Sequence, residues 1–157
     1  VDLPIDAPLP REYVPGERLR LEAYRRLAAA TDDDAIAAVR AELVDRYGPI
    51  PTPVENLLAV ASFRVHAKRF GITEVTLQGN AIRFAPMKLR ESQVMRLQRL
   101  FPGTIVKQTV DTALVPRPKT ARIGGTPIRD VELLAWAKAL LDAVLGDSVA
   151  AAASAPS

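Results

Sequence analysis

The stretch TDDDAIAAVRAELVDRYGPIPTP, residues 31–53, contains the clearest helix start and helix end in the chain. Thr31 with Asp34 matches a capping box in its acidic variant, and the acids around them favour the positive end of the helix dipole. Gly48 is placed to end the helix, and the prolines that follow prevent its continuation. We therefore predict a helix from Asp32 to about Tyr47.

The spacing of apolar residues outside this stretch predicts the other elements. Helical spacing continues to about Phe70, with Pro53 at a first helical position, whereas the period becomes alternating after Gly71. Gly79-Asn80 separates two alternating runs, which is typical of a hairpin. The spacing predicts further helices at about 17–30, 53–70, 90–101 and 128–145, and strands at about 72–77, 82–84, 105–110 and 113–115.

These elements predict an α+β fold within the broad α/β class. The N-terminal helices pack with a small, mostly antiparallel sheet of about four strands and with two further helices. Residues 17–145 are treated as a single α/β domain. Residues 1–16 are rich in proline and should form an extended arm whose apolar side chains lie against another surface, such as a preceding domain. Residues 146–157 are mainly Gly, Ala, Ser and Pro, which predicts a disordered tail.

The composition fits a globular domain and excludes several classes of site. Of the 157 residues, 48% are hydrophobic, which is enough for a core. Without cysteine there are no disulfides or thiolate metal sites, and one histidine leaves zinc with an unusual carboxylate ligand set. No apolar run reaches the ~20 residues of a membrane span, and the acidic start is unlike a signal peptide, so we expect a cytoplasmic protein. The net charge of +3 is too balanced to indicate a nucleic-acid-binding protein.

No combination of residues in the sequence indicates catalysis. Gly124-Gly125 lacks the GxxxxGK[ST] spacing of a phosphate-binding loop. His66 is the single histidine, and a general base needs a positioned partner. Residues 32–34 are three successive acids, which point in different directions on a helix, unlike the alternate ligands of a calcium loop. Trp136 is most simply a packing residue. We therefore predict no catalytic residue, no metal site and no cofactor in this chain.

A basic loop follows the predicted strands. It contains Arg117, Lys119 and Arg122. Three phosphate contacts would give weak, salt-sensitive binding of nucleic acid, and no aromatic residues lie among them for base stacking. Two interpretations stay open, a solvated loop and a nucleic-acid-binding accessory domain.

The predicted second helix carries acids away from its apolar face. At about 100° per residue, the apolar face contains Ile36, Val39, Leu43 and Tyr47. Glu42 and Asp45 lie with small alanines on the opposite side, which a basic partner could approach closely. Two other interpretations are a solvated face and pairing of Glu42 with Arg46, four residues later.

The first half of the chain is dense in distinctive short segments. They are DLPI (2–5), LP (9–10), YVP (13–15), RLEAYRRLA (20–28), ELVDRYGPIP (42–51) and VENLL (54–58). Together they resemble the terminal domain of bacterial transcription-repair coupling factors, densely from about residue 2 to Ile72 and diffusely afterwards. The hairpin, the basic loop and the tail carry no signature of that family.

This resemblance implies a role within a large multidomain protein. Such a protein recognises RNA polymerase stalled at DNA damage, releases it with an ATP-driven DNA translocase and recruits UvrA for excision repair. Its ATP and magnesium lie in other domains, as do its DNA and RNA polymerase contacts. The resemblance therefore implies that this fragment is not an enzyme.

The resemblance also implies a partner for the second helix. In the family, the terminal domain packs on the N-terminal UvrB-like module of the same protein and masks its UvrA-binding surface. The contact includes the acids of a Glu-Leu-x-Asp motif, which are Glu42 and Asp45 here. This favours an autoinhibitory interface over a solvated face. Nucleic-acid binding through residues 117–122 is the second hypothesis.

Overall fold

The structure is a computed structural model that describes residues 2–5, 7–121 and 124–154. Its elements are α1 (Glu17–Ala29), α2 (Asp33–Tyr47), α3 (Thr52–Arg69), β1 (Glu74–Gln78), β2 (Ala81–Ala85), α4 (Glu91–Leu100), β3 (Ile105–Lys107), a short 3₁₀ helix (Gln108–Val110), β4 (Thr112–Pro116) and α5 (Asp130–Ser154). The four strands pair antiparallel throughout. The predicted α+β fold is therefore confirmed.

The contacts divide the chain into two compact units, whereas the sequence analysis treats residues 17–145 as one domain. One, the helical unit, is Ile5–Val65. The other, the sheet unit, consists of Val1–Pro4 and His66–Ser157. Apolar periodicity shows which face of an element is buried but not which core it joins, so this division does not follow from the sequence pattern.

The helical unit has one core, to which α1, α2 and α3 all contribute. Its fully buried members include Leu27, Val39 and Leu58. Two residues of the proline-rich arm, Leu9 and Val14, are also buried in this core. The arm is not extended throughout, because the amide of Val14 donates to the carbonyl of Pro10 in a turn, 3.0 Å away. Leu9 and Val14 therefore lie against the helices of their own unit, whereas the start of the arm, to Pro4, belongs to the sheet unit.

The N-terminus of α2 is capped one residue later than the sequence predicted. The Asp32 side chain, not that of Thr31, accepts a hydrogen bond from the Ala35 amide at 2.8 Å. Both residue types are good caps, and the extended backbone of Asp32 decides between them. Gly48 ends the helix as predicted, with a positive φ of 86° and its amide bonded to the Val44 carbonyl.

The sheet unit is built on a four-stranded sheet in the order β1-β2-β4-β3. Gln78 pairs with Ala81, so Gly79-Asn80 forms the predicted two-residue turn, with a positive φ at Gly79. The edge of β1 is extended by the start of the chain. There the Asp2 amide donates to the Val75 carbonyl at 2.8 Å, and a parallel bridge joins Asp2 to Thr76.

One face of this sheet contributes to the core of the sheet unit. Ile82, Phe84 and Val115 of that face are fully buried. The helices of this unit also contribute fully buried residues, which are Leu97 of α4 and Leu133, Leu140 and Leu141 of α5. Trp136 lies between rings as a packing residue, with its ring centroid 5.8 Å from that of Phe101 in an edge-on arrangement.

Helix α5 extends to Ser154, past the predicted end at Leu145 and through most of the predicted disordered tail. Alanine has the highest helix propensity, so an alanine-rich segment continues a helix without a core-facing stripe. The alanine-rich composition of this segment is therefore compatible with a helix. Residues 155–157 of that tail lie outside the described part. Among the described residues, no helix combines the length and hydrophobicity needed to cross a membrane.

Candidate functional site

A shallow groove runs between α1 and α2 of the helical unit. Apolar side chains that are buried line its base, namely Ala23, Val39 and Leu43. The charged residues that line it are Glu22, Arg26, Glu42 and Arg46. Leu19 also lines it and is 37% exposed. The groove therefore combines an apolar base with a charged rim.

Glu42 lies on the rim of this groove and is already paired. Its carboxylate forms an ion pair with Arg26 of α1, and its other oxygen lies 3.5 Å from Arg46 Nε, one helical turn further along α2. The Glu42 side chain is 36% exposed. Glu42 is one residue from buried Leu43, about 100° round the helix, so it flanks the core and does not lie opposite it as the sequence analysis placed it.

Asp45 has a different environment. It is exposed, and its side chain makes no hydrogen bond or ion pair with any residue that the structure describes. It lies two residues from buried Leu43 and so points about 200° away, as predicted. Both acids therefore lie on α2. Glu42 is paired with two arginines, whereas Asp45 is unpaired among the described residues.

Tyr13 closes one end of the α2 surface. Its hydroxyl donates to the Gly48 carbonyl at 2.8 Å, and its ring packs against Tyr47 with centroids 5.6 Å apart. Burial, and secondarily Tyr47, raises the pKa of Tyr13 above its usual value, so the hydroxyl keeps the proton that it donates. Sequence reasoning assigned no role to Arg26 or Tyr13, because their partners lie on other elements.

The basic loop lies in the other unit and is only partly available. Arg117 is half-buried, and its amide donates to the Asn80 carbonyl at 3.0 Å. Lys119 is exposed and bridges to Pro127. Arg122, the third predicted residue, lies outside the described residues. The structure therefore provides two of the three cations, and they do not form a single exposed row.

His66 has a partner that the sequence does not reveal. Its Nε2 lies 2.7 Å from Asp142 Oδ1 of α5, and its ring packs edge-on against Phe70. No nucleophile is positioned beside this pair among the hydrogen-bonded groups of the described residues. Within the described ranges there is also no group of three or more metal-ligating side chains. The pair most simply joins α3 to α5 within the sheet unit.

The fold of this chain matches a solved structure. The crystal structure of the C-terminal domain of a transcription-repair coupling factor superposes with a TM-score of 0.65 and covers 92% of both chains. The two sequences are 19% identical, so this likeness concerns the fold alone.

Sequence comparisons extend the likeness to a family. A model of the TRCF domain matches residues 3–97, which include the groove between α1 and α2. The transcription-repair-coupling factors of Mycobacterium bovis and Mycobacterium tuberculosis are each 46% identical to the chain over 147 residues, 93% of this chain. That of Staphylococcus aureus is 38% identical over 82 residues, 52% of this chain. The chain spans only 12% of the length of its mycobacterial relatives. It belongs to the family of transcription-repair coupling factor (TRCF) domains.

Proposed function

We propose that this chain is the C-terminal regulatory domain of a transcription-repair coupling factor and keeps its parent protein autoinhibited. It packs on the N-terminal UvrB-like module of that protein and masks the surface that binds UvrA. Other domains of the parent hold ATP and magnesium, translocate on DNA and contact RNA polymerase stalled at lesions. The chain itself is not catalytic.

One observation carries this proposal. Helix α2 has an exposed, unpaired carboxylate at Asp45 on one side, and on the side that faces α1 it lines a groove whose base is apolar and whose rim includes Glu42. Interfaces between proteins combine an apolar centre with a charged rim. A partner with basic side chains at its rim and an apolar contact for Leu19 fits this arrangement.

The two acids should contribute unequally to such an interface. Glu42 is shared with Arg26 and Arg46 before docking, so a partner cation meets a carboxylate that is already neutralised. Asp45 offers its full charge. Removing one member of a desolvated charge pair costs about 2–5 kcal/mol, and we expect Asp45 to account for most of the loss.

The test measures UvrA affinity of the full-length protein. Replacing Glu42 and Asp45 together by alanine should loosen the closed state and strengthen UvrA binding. A loss of about 2 kcal/mol shifts the ratio of closed to open molecules about thirtyfold. Asp45→Ala alone should produce most of this gain, and Glu42→Ala alone should produce less.

A matched control removes two acids elsewhere in the helical unit. Glu12 and Glu17 are exposed and lie outside the groove, so Glu12→Ala with Glu17→Ala should leave UvrA affinity unchanged. Circular dichroism checks that each variant is folded, because exposed substitutions usually change stability by less than about 0.5 kcal/mol. Unchanged UvrA affinity in a folded Glu42→Ala/Asp45→Ala protein would show that this face is merely solvated.

A further inference from the structure

The two units carry charges of opposite sign. The helical unit, residues 5–65, has 8 Lys and Arg against 10 Asp and Glu, whereas the sheet unit has 13 against 8. The net charge of +3 conceals this difference. The sheet unit is therefore the basic part of the chain, and the position of its cations decides what it can bind.

One end of the sheet collects three separate segments. The turn at Gly79-Asn80 lies there, and the Arg117 amide bonds to the Asn80 carbonyl just beyond the last residue of β4. The loop after α4 reaches the same end, because a Cβ on Gly103 would lie 3.1 Å from Pro116 Cγ. We define the basic end of the sheet as residues 79–80, 99–105 and 116–119.

The basic end contains cations and no acids. Its charged residues are Arg99, Arg117 and Lys119. None of the three side chains makes a hydrogen bond or ion pair with another residue in the part of the chain that the structure describes. Elsewhere in the sheet unit, Arg83 bonds to Glu74 and Arg96 bonds to the Ala143 carbonyl. Other cations of the unit, such as Lys88, Lys107 and Lys138, also have no side-chain partner among the described residues. The basic end is distinguished because it holds three cations and no acid.

Arg117 is the half-buried member of this group. Its Nε is buried and has no hydrogen-bond partner among the described residues. A buried donor without a partner is rare, because leaving it unsatisfied costs free energy. A guanidinium binds a carboxylate through two parallel N–H donors, often Nε and one Nη. Because Nε of Arg117 is shielded from solvent, a carboxylate from outside would have to pair with the other two nitrogens of the guanidinium.

Two large aliphatic side chains adjoin these cations. Leu100 is 47% exposed and Ile105 is 55% exposed, at the two ends of the loop that contacts Pro116. The aromatic residue of the same loop, Phe101, is engaged with Trp136 and is not presented for base stacking. Exposed aliphatic residues beside arginine favour a protein over a nucleic acid.

We propose that the basic end of the sheet binds an acidic protein segment that contains aliphatic side chains. Carboxylates of the segment pair with Arg99, Arg117 and Lys119, and its aliphatic side chains cover Leu100 and Ile105. This surface lies outside the helical unit and does not depend on the proposed role of Glu42 and Asp45. It is a second interaction site on the same chain.

The experiment uses the whole chain and a labelled peptide with the sequence Glu-Glu-Leu-Glu-Glu-Leu-Glu-Glu, followed by fluorescence anisotropy. We expect binding that weakens at least tenfold in the Arg99→Gln/Lys119→Gln variant, since both of these residues are exposed. Arg117→Gln should weaken binding further, and circular dichroism checks that its fold is intact. Leu100→Ser with Ile105→Ser should weaken binding of the leucine peptide several-fold. The same variant should not weaken binding of a peptide with serine in place of leucine.

Charge alone is tested by a matched control. Arg18 and Arg25 are exposed on α1, and Arg18→Gln with Arg25→Gln removes the same charge from the other unit, so peptide affinity should not change. The proposal is overturned if Arg99→Gln/Lys119→Gln binds like the unmodified chain or if the control loses affinity equally. It is also overturned if a DNA duplex binds more tightly than the leucine peptide, which would assign this end to nucleic acid.

Discussion

Asp32, Asp33 and Asp34 are identical side chains in succession, yet each has a different environment. Asp32 caps α2, and Asp33 Oδ1 accepts a hydrogen bond from the Ser62 hydroxyl of α3 at 3.1 Å. Asp34 is exposed in the first turn of α2, where the helix dipole favours an acid. The run of acids thus caps the start of α2 and links α2 to α3.

The capping role of Asp32 gives a direct stability prediction. Asp32→Ala should lower the free energy of unfolding by about 1 kcal/mol, because the Ala35 amide loses its acceptor. Thr31→Ala should cost clearly less, since the Thr31 side chain makes no cap. Urea unfolding of the two variants measures both values. A larger cost for Thr31→Ala than for Asp32→Ala would show that Thr31 is the cap, as the sequence predicted.

At the scale of elements, α2 and α3 are joined by a bidentate ion pair. Arg40 Nη1 and Nη2 each donate to one oxygen of Glu55, at 2.7 Å. The hydrogen bond to Arg40 lowers the pKa of Glu55 below its usual value of 4.5 and outweighs the opposing effect of burial. Both side chains are more than 40% exposed, so solvent screens the pair and limits its contribution to about 1 kcal/mol or less.

This ion pair should stabilise the chain at neutral pH but not in acid. A carboxyl whose pKa is lowered by folding contributes stability above its unfolded pKa of about 4.5, and the contribution is lost as the pH falls through the lower folded value. Arg40→Gln should therefore destabilise the chain by up to about 1 kcal/mol at neutral pH. The difference from the unmodified chain should vanish in acid below the folded pKa.

Denaturant unfolding at several pH values measures this difference. Arg18→Gln is the control, because Arg18 is exposed on α1 and makes no ion pair with the described residues. A difference between Arg40→Gln and the unmodified chain that is independent of pH would mean that Arg40 acts through packing of its aliphatic stem.

At the scale of the whole molecule, this chain is a small part of proteins such as its mycobacterial relatives. It contains no GxxxxGK[ST] segment, and Gly124-Gly125 is followed by Thr126-Pro127. Phosphate binding by such a loop needs successive backbone amides and a lysine. The chain therefore contains no phosphate-binding loop of this type.

The isolated chain should accordingly hydrolyse no ATP, with or without DNA. Phosphate release should equal that of buffer, and an unrelated protein purified in the same way is the control. Hydrolysis that persists through further purification and rises in proportion to the chain concentration would contradict a non-catalytic role.

Local signals in the sequence determined most of the elements and the family. Gly48 with the prolines after it ends α2, and Gly79-Asn80 makes the hairpin, because each feature acts through the backbone of neighbouring residues. The segments between Asp2 and Leu58 were sufficient to indicate the family that the comparisons confirm.

Tertiary structure alone decided which residues from distant segments meet. The strand order β1-β2-β4-β3, the pairing of Arg26 with Glu42 and the unsatisfied Nε of Arg117 all depend on contacts between separate elements. Periodicity places a residue on a face but does not identify the element that this face meets. For that reason the sequence indicated Glu42 and Asp45 but not that Glu42 is paired with Arg26, whereas Asp45 has no side-chain partner among the described residues.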